Sequence, residues 1–222
     1  MSDRHALVLG ATGLIGSHVV RRLLEAPTWG QVTVLARRAA NTSHPKLRWH
    51  VVDLDDRSTW TRFAKIDDVF DCLGTTIKQA GSQAQFRHVD LELPLAVSRA
   101  ARDAGAAHAS LISSLGADRR ARVFYSRVKG EREAEMQALG FPSLHLLRPS
   151  LLLGERATAR AGEKMGELIL GIGRPLLVGP WRKYRAIRGE DVARAMVHLA
   201  ASPNPGTRVL LSDEIAKVAT EA

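Results

Sequence analysis

Residues 6–16 read "ALVLGATGLIG". A short apolar run closes on Gly10, and Gly13 and Gly16 follow at three-residue spacing. Such a run bounded by glycine reads as a buried strand. The continuation "LIGSHVVRRLLEA" (14–26) puts Leu14, Ile15, Val19, Leu23 and Leu24 at helical spacing. The stretch is therefore strand, tight turn, helix. A tight turn at Gly10 favours backbone angles closed to other residues. A side chain at Gly13 would block a pyrophosphate from the backbone, and one at Gly16 would hold the helix off the sheet. The helix N-terminus adds free N–H groups and partial positive charge for phosphate, and Thr12 a hydroxyl. In this context the pattern predicts a dinucleotide cradle.

The rest of the chain repeats the alternation. Strands are predicted at "VTVLA" (32–36), "LRWHVVD" (47–53), "DDVFDCLG" (67–74), "HASLISS" (108–114) and "SLHLLRPS" (143–150), with "RVLLS" (208–212) as a short last one. Helices are predicted at 91–105 and 125–140, each ended by a glycine, and at 189–202. A short helix around Trp60, another over 162–171 and a tail or terminal helix over 214–222 complete the reading. Strands separated by helical segments imply right-handed crossovers. The expected fold class is α/β, a Rossmann-type doubly wound parallel sheet. Residues 1–222 are read as a single NAD(P)-binding domain, with 150–190 as a small C-terminal substrate-side excursion.

Composition narrows the class. With 45% hydrophobic and 25% charged residues among 222, the chain is globular and large enough to fold without disulfides. The single cysteine, Cys72, forbids an intramolecular disulfide and is expected to pack as a small hydrophobe. With no leader-like apolar run at the start and no apolar stretch near the ~20 residues of a membrane span, the expected location is cytoplasmic. The net charge of +9, concentrated in "RRARVFYSR" (119–127) and "WRKYRAIR" (181–188), favours anionic partners. No nucleic-acid motif accompanies it, so the expected partner is a small-molecule substrate. The eight histidines show no metal-ligand spacing, and no metal is expected. A monomer and a homodimer both fit.

The second strand ends "VTVLARR". NAD-binding folds usually place a carboxylate there for the ribose hydroxyls. Here Arg37 and Arg38 stand instead, and an arginine pairs with a 2′-phosphate in bidentate fashion. The expected cofactor is NADP(H) rather than NAD(H). Asp53, after the third strand, either hydrogen-bonds the adenine edge or caps the next turn.

Tyr125 and Lys129 are four apart on a predicted helix and share a face. An ammonium beside a phenol stabilises the phenolate, which suits a tyrosine to exchange protons as hydride moves. Ser113 and Ser114 end the fifth strand, at the edge where such sheets bind ligands. Ser114 is favoured as the group that holds the substrate oxygen, with Ser113 as the alternative.

With "GATGLIG", "CLGTT", "LISS", "YSRVK", "RPSLLLGER" and "IRGEDVARAM" in this order, the chain resembles the short-chain dehydrogenase/reductase superfamily, in its atypical or extended branch, from about residue 5 to 200. "DCLGTTIKQAG", "SSLGAD", "YSRVKGEREAE" and "LLRPSLLLGER" look like the group of the human Tat-interacting oxidoreductase and its bacterial relatives. The resemblance implies that Gly10, Thr12, Gly13, Leu14, Ile15 and Gly16 form the pyrophosphate loop. It implies Arg37 as the NADP-selecting position, Asp53 and Leu54 on the adenine side, and Leu73, Gly74 and Thr75 along the cofactor. It further implies Ser114, Tyr125 and Lys129 as the catalytic triad, and Arg148, Pro149 and Leu152 beside the nicotinamide carboxamide. One departure is the absence of the relay asparagine many relatives carry: none occurs in 80–105, and Asp90 is the nearest polar candidate. Three functions follow as expectations: an NADP(H)-dependent oxidoreductase first, then an NADPH-binding regulator with little turnover, then an epimerase or isomerase with recycled cofactor. The short carboxyl-terminal region disfavours the last.

Overall fold

A computed structural model describes residues 4–39, 42–60, 65–153 and 179–222. Seven strands form one sheet: β1 (Arg4–Leu9), β2 (Trp29–Ala36), β3 (Leu47–Val51), β4 (Asp68–Asp71), β5 (His108–Ile112), β6 (Ser143–Arg148) and β9 (Gly206–Leu211). Their order is β3-β2-β1-β4-β5-β6-β9, and every neighbouring pair is parallel. The two remaining strands, β7 (Leu152–Leu153) and β8 (Ile187–Arg188), pair with each other outside that sheet.

The period of two sorts side chains onto two faces. Ala6 and Val8 of β1 and Phe70 of β4 enter one core, with Val19 and Leu23 of α1 (Gly16–Glu25) and Met196 and Leu199 of α6 (Gly189–Ala201). Leu7, Leu9 and Val69 enter the other, with Val97 and Ala101 of α4 (Leu93–Asp103) and Met136 of α5 (Phe124–Ala138). A strand buried on both faces reads as a continuous apolar run, which is why "ALVL" does not alternate. The chain is thus mostly parallel and doubly wound, as expected.

Two differences from the sequence expectation have physical causes. The predicted helix at 91–105 is the end of a longer helical passage. Two short helices, α2 (Ile77–Ala80) and α3 (Gln83–Arg87), lead through a π-helical turn at His88–Glu92 into α4. Pro94, near the start of α4, lacks the N–H that would continue an α-helical ladder. The segment 214–222 is helical from Ser212 to Glu221 (α7), because it buries Ile215, Val218 and Ala219. The predicted glycine stops hold: Gly105 and Gly140 adopt φ of +101° and +68°. The helix expected over 162–171 lies outside the described residues.

Strand order reverses between β1 and β4. Chain segments leaving the C-terminal ends of these two neighbours diverge, and a crevice opens between them. Gly10 follows β1 and Cys72–Thr75 follow β4, so the glycine loop and the fourth strand's exit form the walls of one cleft.

Candidate functional site

The glycine loop is fixed by close backbone packing. Gly10 has φ of +71°, and a Cβ there would lie 2.3 Å from the Cys72 carbonyl oxygen. A Cβ on Gly16 would lie 2.2 Å from the Gly10 carbonyl oxygen, so no other residue fits where α1 begins. A Cβ on Gly13 would meet only that same oxygen, at 3.1 Å, and the Gly13 N–H donates to it at 2.9 Å. The loop therefore turns tightly at both ends and presents Gly13 to the cleft, with Ala11 and Thr12 beside it. Leu14 and Ile15 do not face it. Ile15 is buried in the core, and Leu14 packs against Gly189 at the start of α6. Only their backbones remain available to a ligand.

The cleft has a volume of about 680 Å³. Arg37, Arg38 and Ala39 line one side, where β2 ends. Both arginines are exposed, and neither guanidinium has an ion-pair partner among the described residues. Leu54 also lines the cleft. Asp53 does not: its Oδ1 accepts the Asp55 N–H at 3.0 Å, and its carbonyl accepts the Thr59 hydroxyl at 2.8 Å. Of the two roles open to Asp53, turn capping is the one its contacts fill.

Leu73, Gly74 and Thr75 line the opposite wall, and each flanking amide is held from below. The Leu73 N–H donates to Asp71 Oδ1 at 3.2 Å, and Arg132 Nη1 donates to the Leu73 carbonyl at 3.0 Å. The Thr75 N–H donates to Asp90 Oδ2 at 2.7 Å. Arg132 also pairs with Asp71, and Lys129 with Asp90. Gln79, Gln85 and Val89, from the helices after β4, close the cleft and were not singled out by the sequence. The polar run "KQAGSQAQ" (78–85) carries no periodic stripe that would have marked them.

Tyr125 and Lys129 lie on one face of α5, as their spacing requires. The Lys129 Nζ is 5.7 Å from the Tyr125 ring centroid, and that ring packs at a tilt of 48° against the buried Phe86, with centroids 5.6 Å apart. Lys129 is not an isolated cation, because Asp90 neutralises it. Arg132 continues the same face one turn on, so 125, 129 and 132 form a helical i, i+4, i+7 row. That spacing was visible in "YSRVKGER"; the partners Asp71 and Asp90, distant in sequence, were not paired with it.

Ser113 and Ser114 follow the end of β5. Among the described residues Ser113 is buried with no partner for its Oγ, while Ser114 is half-buried and its Oγ reaches only the Leu115 carbonyl, at 3.4 Å. Neither hydroxyl hydrogen-bonds Tyr125. Arg148 does not enter the cleft: its Nε donates to Glu133 Oε1 at 2.9 Å, and it lines a separate hollow with Asp118 and Arg119. The Pro149 carbonyl accepts the Leu115 N–H at 3.0 Å, which ties this segment to the serine loop. Leu152, in β7, packs against the first core. Burial pushes the Cys72 thiol pKa up, with Asp71 adding to the rise, so it is a protonated packing group against Met196 Sδ at 4.0 Å.

Among the described residues no group of three histidines, cysteines or acids is placed to hold a metal ion, and no helix is long and apolar enough to cross a membrane.

The comparisons with known proteins agree with this architecture. Residues 6–122 match the NAD dependent epimerase/dehydratase family. Protein HTATIP2 of Rattus norvegicus is 31% identical over 218 residues, which cover 96% of this chain and 88% of the relative. Protein FMP52, mitochondrial, of Eremothecium gossypii is 32% identical over 214 residues, 95% of each chain. Among solved structures, MoeE5 in complex with UDP-glucuronic acid and NAD superposes with a TM-score of 0.71 at 21% identity, covering 98% of this chain and 81% of that one. The fold is thus the Rossmann fold of short-chain dehydrogenases/reductases. The cytoplasmic location expected from the sequence is corrected by these relatives, because the fungal proteins are named mitochondrial. One free cysteine argues against a disulfide-stabilised fold and does not select a compartment.

Proposed function

This chain belongs to the NAD dependent epimerase/dehydratase family, and on that premise we propose that it is an NADP(H)-dependent oxidoreductase of the short-chain type, acting on a carbonyl or alcohol. One observation carries the reading. The tyrosine–lysine helix reaches the floor of the glycine-loop cleft: a Cβ on Gly74 would lie 3.8 Å from Lys129 Nζ.

The bound nicotinamide supplies the hydride donor or acceptor. The chain's own residues bind and move protons. Gly10, Thr12, Gly13 and Gly16, with the backbone of Leu14 and Ile15, take the pyrophosphate at the α1 N-terminus. Leu54 offers an apolar wall for adenine, while Asp53 shapes the turn that carries Leu54. Arg37, with Arg38 beside it, pairs with a 2′-phosphate, and its lack of any other ion-pair partner among the described residues supports NADP(H) over NAD(H). The backbone of Leu73, Gly74 and Thr75 runs along the ligand. Tyr125 would give a proton to a carbonyl oxygen or take one from an alcohol, and Lys129 would hold the ribose. Ser114, the more accessible serine, holds the substrate oxygen with Ser113 packed behind it. Arg148, Pro149 and Leu152 act at one remove, through the serine loop. Residues 1–222 serve as one dinucleotide-binding unit with 150–190 as its substrate-side segment, and the β7–β8 pair sets Leu152 and Leu153 beside Ile187 and Arg188.

The test is Tyr125→Phe. NADPH oxidation against a carbonyl panel should fall by roughly 10²–10⁴, the usual contribution of a general acid, while calorimetric NADPH affinity stays within about twofold, since one hydroxyl at the reacting end adds little to dinucleotide binding. Retained turnover would remove Tyr125 from the mechanism. The family's own description favours a second reading, an epimerase with recycled cofactor. Dinucleotide that stays bound through purification, with no net NADPH oxidation, distinguishes it.

A further inference from the structure

Four buried charged side chains join the helix of Tyr125 to the wall of the cleft. Asp71, Asp90 and Arg132 are fully buried and Lys129 is 5% exposed. An unpaired charge at such depth is strongly destabilising, so two acids against two bases is the arrangement that can persist. Asp90 sits at its centre. Its Oδ1 takes the Lys129 ammonium and stands 3.8 Å from Arg132 Nη1. Its Oδ2 accepts the Thr75 N–H. Gly74 lies directly over the pair, since a Cβ there would be 3.5 Å from Asp90 Oδ1. Asp90 occupies the π-helical turn before α4, a local distortion that recurs at functional sites.

Resting on the reading above for what it serves, we infer that Asp90 is a positioning residue that couples occupancy of the dinucleotide cleft to the charge around Tyr125. One carboxylate fixes the Thr75 amide with one oxygen and neutralises the ammonium beside the Tyr125 ring with the other. A shift of the cleft wall at Thr75 re-aims the carboxylate and changes how much of the Lys129 charge the phenol meets. An asparagine has one acceptor oxygen where the carboxylate uses two, so in this geometry it serves one of the two donors, and it carries no charge.

The chain has two tyrosines, Tyr125 and Tyr184. In a Tyr184→Phe background, phenolate absorbance therefore reads Tyr125 alone. Without dinucleotide, Asp90→Asn should move that titration to lower pH by about one unit, because the ammonium has lost its counter-charge, and Lys129→Met should move it to higher pH. Calorimetry should show NADPH binding to Asp90→Asn about tenfold more weakly than to the unmutated protein, the scale of a lost hydrogen bond to a charged group. A shift in only one of the two readouts overturns the coupling, and so do shifts of Asp90→Asn and Lys129→Met in the same direction. If Asp90→Asn does not fold, Lys129→Met decides, and an unmoved titration there overturns the inference. Failure of the unmutated protein to bind either dinucleotide would remove the oxidoreductase reading, while the titration would still report on Asp90 and Tyr125.

Discussion

Strand β4 carries a buried aspartate at each end, and the two do different work. Asp68, at the N-terminal edge of the sheet, accepts from Trp29 Nε1 at 2.8 Å and from Arg4 Nε at 3.0 Å, with His108 Nδ1 3.2 Å away. The same Arg4 donates to the carbonyls of Ala200 and Ala201, the open end of α6. Every partner there is a strand or a helix terminus, so the cluster closes a seam. Asp71, at the other edge, holds the Leu73 amide and Arg132, and through them a loop whose other side faces the cleft. Burial alone therefore does not mark function. What separates the two aspartates is whether the groups they hold also line a cavity.

The largest test of that contrast removes the closed end. Asp68→Ala takes an acceptor from Arg4 Nε and Trp29 Nε1 and the carboxylate from beside His108, and removing a fully buried carboxylate with such partners costs about 3–5 kcal/mol. Thermal unfolding should show this loss, while NADPH affinity of the folded fraction stays unchanged. A matching loss of affinity would mean that the two ends of β4 are not independent.

A smaller effect lies in pH. Burial pushes the His145 imidazole down to about 4 from 6.5, with His108 and Arg208 adding to it. Above 6.5 it is neutral in both states and contributes nothing. Below that the unfolded chain gains a proton the folded one refuses, so stability falls as pH drops from about 6.5 to about 4, by about 3 kcal/mol. Burial alone would raise the Asp68 carboxyl, but His108 and Arg4 outweigh it and hold the pKa low, so its contribution is lost at still lower pH. Urea unfolding across this range should show the slope, and His145→Phe should flatten its upper part. His88, in exposed contacts at the π-helical turn, has the opposite sign. Glu92 first, then Asp55, raises the His88 pKa against the effect of its partial burial. Its support is complete below 6.5 and is lost as pH rises through the raised value.

How much of this was legible depends on the range of the signal. "ALVL" and the glycines at 10, 13 and 16 act over a few residues and could be read directly, as could the stops at Gly105 and Gly140. The spacing of Tyr125 and Lys129 was readable, and Arg132 continues that row. Its partners were not: Asp90 lies 39 residues from Lys129 and Asp71 lies 61 from Arg132, and only the placement of β4 beside β5 brings them together. Asp53 shows the same limit from the other side, because both of its roles were open until its turn was seen. Arg148 was assigned by motif to the cofactor, yet Glu133 on α5 turns it elsewhere.

The central claim is that this cleft is a dinucleotide site in which Arg37 selects the 2′-phosphate. It is tested most directly by calorimetric titration of the unmutated protein and of Arg37→Ala with NADPH and NADH. Ionic strength must be matched, because a chain of net charge +9 binds anions in a salt-dependent way. NADPH should bind more tightly than NADH. Arg37→Ala should lose about tenfold or more in NADPH affinity, with NADH changed by less than about twofold. Equal losses for both dinucleotides, or binding of neither by the folded protein, would contradict the claim.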